Sequence, residues 1–137
     1  MKQAGVMLII KDGMILGIAR RSDNTKFGLI GGKKDESDVD VKAAAIRECF
    51  EECGIVVKNC IEIYKRIEPK NSPEGLDFEC TCFYATDYEG EPRKCEEMEV
   101  SWLTEEQLTN KKSAAFGEFN KNTLQVFKKL YPETYIK

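Results

Sequence analysis

The chain has 137 residues, 42% apolar and 33% charged, with a net charge of −3 and no histidine. That length and balance suit one soluble globular domain over residues 1–137 and exclude a disordered or fibrous chain. The mildly acidic charge offers no basic surface for a stable nucleic-acid partner. The missing histidine excludes the histidine-based triads, leaving acid–base work to carboxylates, lysine, tyrosine or metal-bound water.

In chain order, residues 6–10 are apolar and mostly branched and predict a buried strand. The run is too short to span a membrane, and the polar turn that follows leaves no signal-peptide pattern, so a cytosolic protein without membrane attachment is expected. Asp12-Gly13 predicts a tight hairpin into a strand over 14–19, closed by Arg20-Arg21. Arg20 is a candidate phosphate contact, although a basic pair at a strand end is more often plain surface. Residues 22–25 read as a polar loop, 27–30 as a short strand running into Gly31-Gly32, and 33–37 as a further loop. Ser37, with Asp40 three residues on, resembles a capping box and predicts a helix over 38–53 that Gly54 ends. Its apolar face is expected to be Ala43, Ile46, Cys49, Phe50 and Cys53. Ala44 and Ala45 are small enough to let the glycine loop come close. Strands are predicted over 55–66, 76–85 and 99–103, the second with Phe78, Cys80, Cys82 and Tyr84 on one face. Residues 69–75 and 88–94 read as loops, Thr104 as the cap of a short helix, and 119–130 as an amphipathic helix. Strict βαβ alternation is missing, so the fold class is α/β of the α+β kind: a mixed sheet with helices packed on it.

Glu48, Glu51 and Glu52 stand at i, i+3 and i+4 on the central helix and share one stripe. Like charges at these spacings repel by a few tenths of a kcal/mol, about 0.2–0.5 per pair. A solvated helix face is the plain reading, and a platform for a hard divalent cation is the functional one. Six cysteines occur without a CxxC pair, so a zinc site from Cys49, Cys53, Cys80 and Cys82 is a remote alternative to thiols used as packing groups.

Gly31-Gly32 followed by Arg47-Glu48-Cys49-Phe50-Glu51-Glu52-Cys53-Gly54-Ile55 resembles the signature of the Nudix hydrolases, G-x5-E-x7-R-E-U-x-E-E-x-G-U with U apolar. The second half matches position by position. The first half departs: counting from Gly32 puts the first signature glutamate at Asp38, counting back from Arg47 puts it at Val39, so the loop holds one extra residue. The flanks 27–32 and 102–108 resemble the family's strand into the box and its late tryptophan strand.

The resemblance implies an α/β/α sandwich around a mixed sheet and hydrolysis of a nucleoside diphosphate linked to a group X. It implies Mg²⁺, with Mn²⁺ as an alternative, held by Glu51 and Glu52, by Glu48 as further ligand or base, and by the Gly31 carbonyl. Arg47 is expected to hold Glu51. A later acidic loop supplies Glu96, or Glu97, as an added ligand or base. Phe27, Gly31, Gly32 and Arg20 are the candidate substrate contacts; Phe27 and Trp102 read first as core or pocket wall. A nucleotide is the expected partner, with the chain a monomer or homodimer. A (d)NTP, including an oxidised one, is the leading substrate. An ADP-ribose or nucleotide-sugar substrate is the alternative, hinted at by Pro69, and Asn71, Ser72 and Pro73 count against diadenosine polyphosphates. A non-catalytic nucleotide-binding domain is the second alternative, motivated by the altered loop.

Overall fold

The computed structural model describes residues 1–21, 23–68, 77–93, 95 and 97–134, excepting the side chains of Arg20, Asp23 and Asn24. The segment 69–75, with Pro69, and the candidate Glu96 lie outside the described residues. The described residues form seven strands: β1 (Lys2–Leu8), β2 (Ile10–Lys11), β3 (Met14–Arg20), β4 (Asp23–Lys33), β5 (Val56–Glu68), β6 (Phe78–Glu89) and β7 (Met98–Leu103). The helices are α1 (Val41–Cys53), α2 (Glu105–Thr109) and α3 (Gly117–Leu130). The strand order is β2-β3-β4-β1-β6-β5, with β7 paired to β3. β1 runs antiparallel to β4 and parallel to β6, so the sheet is mixed.

β1 shows why residues 6–10 read as continuously apolar. Ala4 and Leu8 point into a core that includes Leu124 and Phe127 of α3, while Met7 and Ile9 point into another that includes Cys49 and Cys53 of α1. A strand covered on both faces loses its polar alternation. β6 behaves alike: Cys80 and Cys82 face the α3 side with Phe78 and Tyr84 packed beside them, and Phe83 and Ala85 face the α1 side. The two faces make the expected α/β/α sandwich. They also separate Cys80 and Cys82 from Cys49 and Cys53 by the thickness of the sheet, which overturns the four-cysteine zinc arrangement.

The Asp12-Gly13 turn is present, with φ of 53° and 78° between the pairs Lys11↔Met14 and Ile10↔Ile15. Thr104 caps α2 in a reciprocal box with Gln107. Other expectations shift. β1 begins at Lys2, β4 takes in the polar residues from Asp23 onward, and Tyr88 is still in β6, paired with Val57. Pairing with a neighbouring strand outweighs local polarity in each case.

The largest correction concerns α1. Its N-cap is Asp40, whose side chain accepts from the Ala43 N at 2.8 Å, because Ser37 is turned back onto Asp35, its N donating to Oδ1 at 2.9 Å. The buried face is Ala44, Ala45, Cys49, Glu52 and Cys53, and Phe50 is 48% exposed. The reason is contact with β1: a Cβ on Gly5 would lie 2.7 Å from the Val41 carbonyl and 3.1 Å from the Ala45 Cβ. The helix therefore lies against β1 through its small residues. That rotation carries Glu52 inward and Phe50 outward.

Candidate active site

α1 and the end of β4 bring the three glutamates beside Gly31-Gly32. Glu52 is 9% exposed, and its Oε1 accepts from the Gly31 N at 3.0 Å. Burial pushes its carboxyl up to about 8, against the opposing pull of the Gly31 amide. Glu48 is half-buried with its carboxylate against Gly32, where a Cβ would stand 2.5 Å from Oε2. Burial raises this carboxyl too, with Arg47 pulling the other way. Glu51 is the outermost, with more than half of its side chain exposed.

Arg47 joins the charges. Its Nε and Nη2 donate to Oδ1 and Oδ2 of Asp38 at 2.9 and 2.8 Å, a two-pronged bond of the kind guanidinium favours. Nη1 reaches Glu51 Oε1 at 3.1 Å and Glu48 Oε2 at 3.4 Å, and Nη2 reaches the Lys33 carbonyl at 3.3 Å. The Arg47 bond, and then the Asp35 N at 3.0 Å, hold the Asp38 carboxyl down at about 2 from an ordinary 3.8. The extra loop residue is absorbed here: Asp38 is buried, Val39 beside it is 88% exposed, and Asp40 caps α1. The shorter Asp thus ties the loop to the helix despite the insertion.

The other expected residues are placed less closely. Phe27 packs on the α3 side, across the sheet from α1, with its N bonded to the Ser113 carbonyl and its own carbonyl to the Ala115 N, both at 2.8 Å. Trp102 packs into the α1-side core. Arg20 ends β3, paired with Asp23 and Met98, its side chain outside the described residues. Glu97 is exposed, and its carbonyl accepts from the Arg21 N at 3.0 Å.

Sequence reasoning missed two contacts of the box helix. Cys49 and Cys53 sit with their sulfurs 3.9 Å apart on either side of Glu51-Glu52, both fully buried. Arg93 lies over the Phe50 ring, 5.6 Å from its centre. The i, i+4 spacing of the cysteines would have found the first; the second has no local signal.

Among the described residues, no three acidic or cysteine side chains converge on a metal position as they stand. Arg47 holds Glu48 and Glu51, and Gly31 takes one of the two Glu52 oxygens. The donor chemistry nonetheless fits a hard divalent cation: carboxylate oxygens only, one of them on a buried and anchored side chain and another on an exposed one.

The NUDIX domain family matches residues 1–127 of the chain. The chain belongs to the Nudix hydrolase family. It is accordingly a hydrolase acting on pyrophosphate bonds. Nudix hydrolases generally use divalent metal ions such as Mg²⁺ and bind nucleotides. A MutT NUDIX hydrolase from Burkholderia pseudomallei is similar at 25% identity, covering 91% of this chain and 96% of that one with a TM-score of 0.74. The MutT protein from Methanosarcina mazei Go1 shares 22% identity, 93% and 95% coverage and a TM-score of 0.73. A protein described as an ADP compounds hydrolase shares 18% identity, 98% and 76% coverage and a TM-score of 0.69. The last two carry the fold alone. No curated protein matches the chain. Among the described residues no helix is long and apolar enough to cross a membrane.

Proposed function

We propose that residues 1–137 form one Nudix domain that hydrolyses a nucleoside diphosphate linked to X, with a (d)NTP, oxidised ones included, giving the monophosphate and pyrophosphate. The observation that carries this reading is the buried Glu52 carboxylate bonded to the Gly31 N while Glu48 lies against Gly32. An acid buried this deep on α1, against the glycines of β4, has little structural use, because burying a carboxylate opposes folding unless something compensates it. Glu51 and Glu52, with Glu48, the loop acid Glu96 and the Gly31 carbonyl, are the proposed donors for Mg²⁺ or Mn²⁺. When bound, the cation supplies charge neutralisation for the diphosphate and lowers the pKa of a water. Glu48 is assigned the proton of the attacking water, with Glu96 as the other candidate acceptor. Arg47 holds the Glu51 rotamer and, through Asp38, the loop under the phosphates. Gly31 and Gly32, whose missing side chains let β1 and the Glu48 carboxylate lie close, are the proposed backbone contacts to substrate, and Arg20 is the proposed phosphate contact. Phe27, on the α3 face, falls outside this phosphate set. The five thiols buried in the cores, Cys49, Cys53, Cys60, Cys80 and Cys82, suit the reducing cytosol.

ADP-ribose and nucleotide sugars, the alternative that Pro69 hints at, are the second class to test. Turnover of (d)NTPs, 8-oxo-dGTP, ADP-ribose and nucleotide sugars with Mg²⁺ separates the readings. Pyrophosphate release from a triphosphate supports the first. AMP release from ADP-ribose, with triphosphates untouched, replaces it with the second. Tight nucleotide binding without turnover makes the chain a binding domain.

A further inference from the structure

β4 does not stop at its glycines. Lys33 is its last residue and Lys34 follows, so the strand that meets the box helix runs on into two lysines. The pairing Ala4↔Lys33 and the bond from the Lys34 N to the Gln3 carbonyl, at 2.9 Å, bring them beside the start of β1. A cleft of about 270 Å³ opens there, lined among the described residues by Met1, Lys2, Gln3, Lys33 and Lys34. Three of these are lysines and none is an acid or an aromatic, in a chain whose net charge is −3. One carboxylate stands behind the lining: Glu79, which accepts from Gln3 Nε2 at 3.3 Å.

The cleft adjoins the glutamates. Gly32 precedes Lys33, and a Cβ on Gly32 would stand 2.5 Å from Glu48 Oε2. The Lys33 carbonyl accepts from Arg47 Nη2 at 3.3 Å, the side chain that also reaches Glu48 and Glu51. At 3.8 Å between consecutive Cα atoms, the two lysines start roughly 4–7 Å from the strand position that Glu48 faces. The cleft is smaller than the range of about 300–1,000 Å³ for sites that enclose a drug-sized molecule, and its lining offers a base no ring to stack on. Ammonium groups, each a point charge with three donors, suit a phosphate.

We propose that this cleft takes a phosphate group at the outer end of the substrate, so that X is a phosphate or ends in one. This rests on the hydrolysis proposed above, and it separates the two substrate classes. A nucleoside triphosphate ends in a phosphate, whereas ADP-ribose ends in an uncharged ribose. Glu48, Glu51 and Glu52 stand at the bridge that breaks. Lys2, Lys33 and Lys34 hold charge beyond it, which strengthens binding of the substrate and of the transition state alike.

Two measurements test the cleft. The first is calorimetric titration of sodium tripolyphosphate into the protein without divalent cation. The wild type is expected to bind it more tightly than about 1 mM, with affinity falling as salt is raised. Lys33→Gln combined with Lys34→Gln weakens binding about ten-fold, and Lys33→Arg combined with Lys34→Arg retains it, because the point charges and donors remain. Lys58→Gln combined with Lys129→Gln removes the same charge from β5 and α3 and changes binding by less than about two-fold. The second is turnover in Mg²⁺. The Lys33, Lys34 glutamine pair raises KM for a (d)NTP about ten-fold with kcat within about two-fold, and moves KM for ADP-ribose by less than about two-fold. For whichever compound is not turned over, its inhibition constant takes the place of KM. Tripolyphosphate that binds the wild type no more tightly than the glutamine pair overturns the proposal. So does an equal loss in the Lys58, Lys129 control, or a KM for ADP-ribose that rises as far as that for the triphosphate. A wild type that hydrolyses nothing fails the hydrolysis reading, while tripolyphosphate still tests the cleft; an active one whose affinity for tripolyphosphate ignores Lys33 and Lys34 fails the cleft alone.

Discussion

Arg47 shows how one side chain organises several negative charges. Its guanidinium spans Asp38, Glu48 and Glu51 and reaches a carbonyl of β4. The charges meet over a half-buried surface, where the attraction is screened less than at full exposure. Asp38 is the partner whose titration reports this. Its folded pKa is depressed, so its contribution to stability is present above the ordinary value of 3.8 and is lost as the pH falls through about 2. Asp38→Asn is therefore expected to melt below the wild type at pH 5, with the gap closing by pH 2. Melting curves at the two pH values check this, and a gap that widens toward low pH contradicts it. The same residue explains how the altered loop keeps its hold on α1: Asp38 points in and Val39 points out. The sequence pattern located Asp38 but not this division, since both counts across the insertion were open.

At the scale of the element, α1 is set by its ends and by the strand beneath it. Asp40→Ala removes the N-cap and is expected to destabilise the protein by about 1 kcal/mol in urea unfolding. Gly54 closes the helix at φ 79° under the Arg93 side chain. Gly54→Ala is expected to cost about 1–3 kcal/mol, with strain at the left-handed position and displacement of Arg93 acting together. A loss below that of Asp40→Ala would mean that the loop yields freely. Local signals were readable here: the i, i+3, i+4 glutamates, the Asp12-Gly13 turn, the Thr104 cap and Gly54. Which face of α1 is buried was not readable, because Gly5 decides it from about forty residues away in the chain. Arg21 and Arg93 were illegible for the same reason. Their partners, backbone carbonyls and for Arg93 also the Phe50 ring, lie on distant segments, which leave no periodicity.

Across the whole molecule, the mixed sheet separates two cores and gives the two helical layers different tasks. α1 brings its carboxylates to β4, whereas α3 closes the far face with Phe127, fully buried and 4.8 Å from the Tyr84 ring. Phe127→Ala is expected to cost about 3–5 kcal/mol, the range for a large buried aromatic, while any protein that remains folded keeps its KM. A wild-type melting temperature would show that α3 contributes little to the core. The central claim concerns the other face: Glu52 is buried to serve chemistry, not packing. Its most direct test is turnover of the best substrate in Mg²⁺ by Glu52→Gln beside the wild type, with melting temperatures taken on the same samples. A rate loss of at least about a hundred-fold, with a melting temperature equal to or above that of the wild type, is the predicted result. Near-normal turnover by a folded Glu52→Gln protein would contradict it.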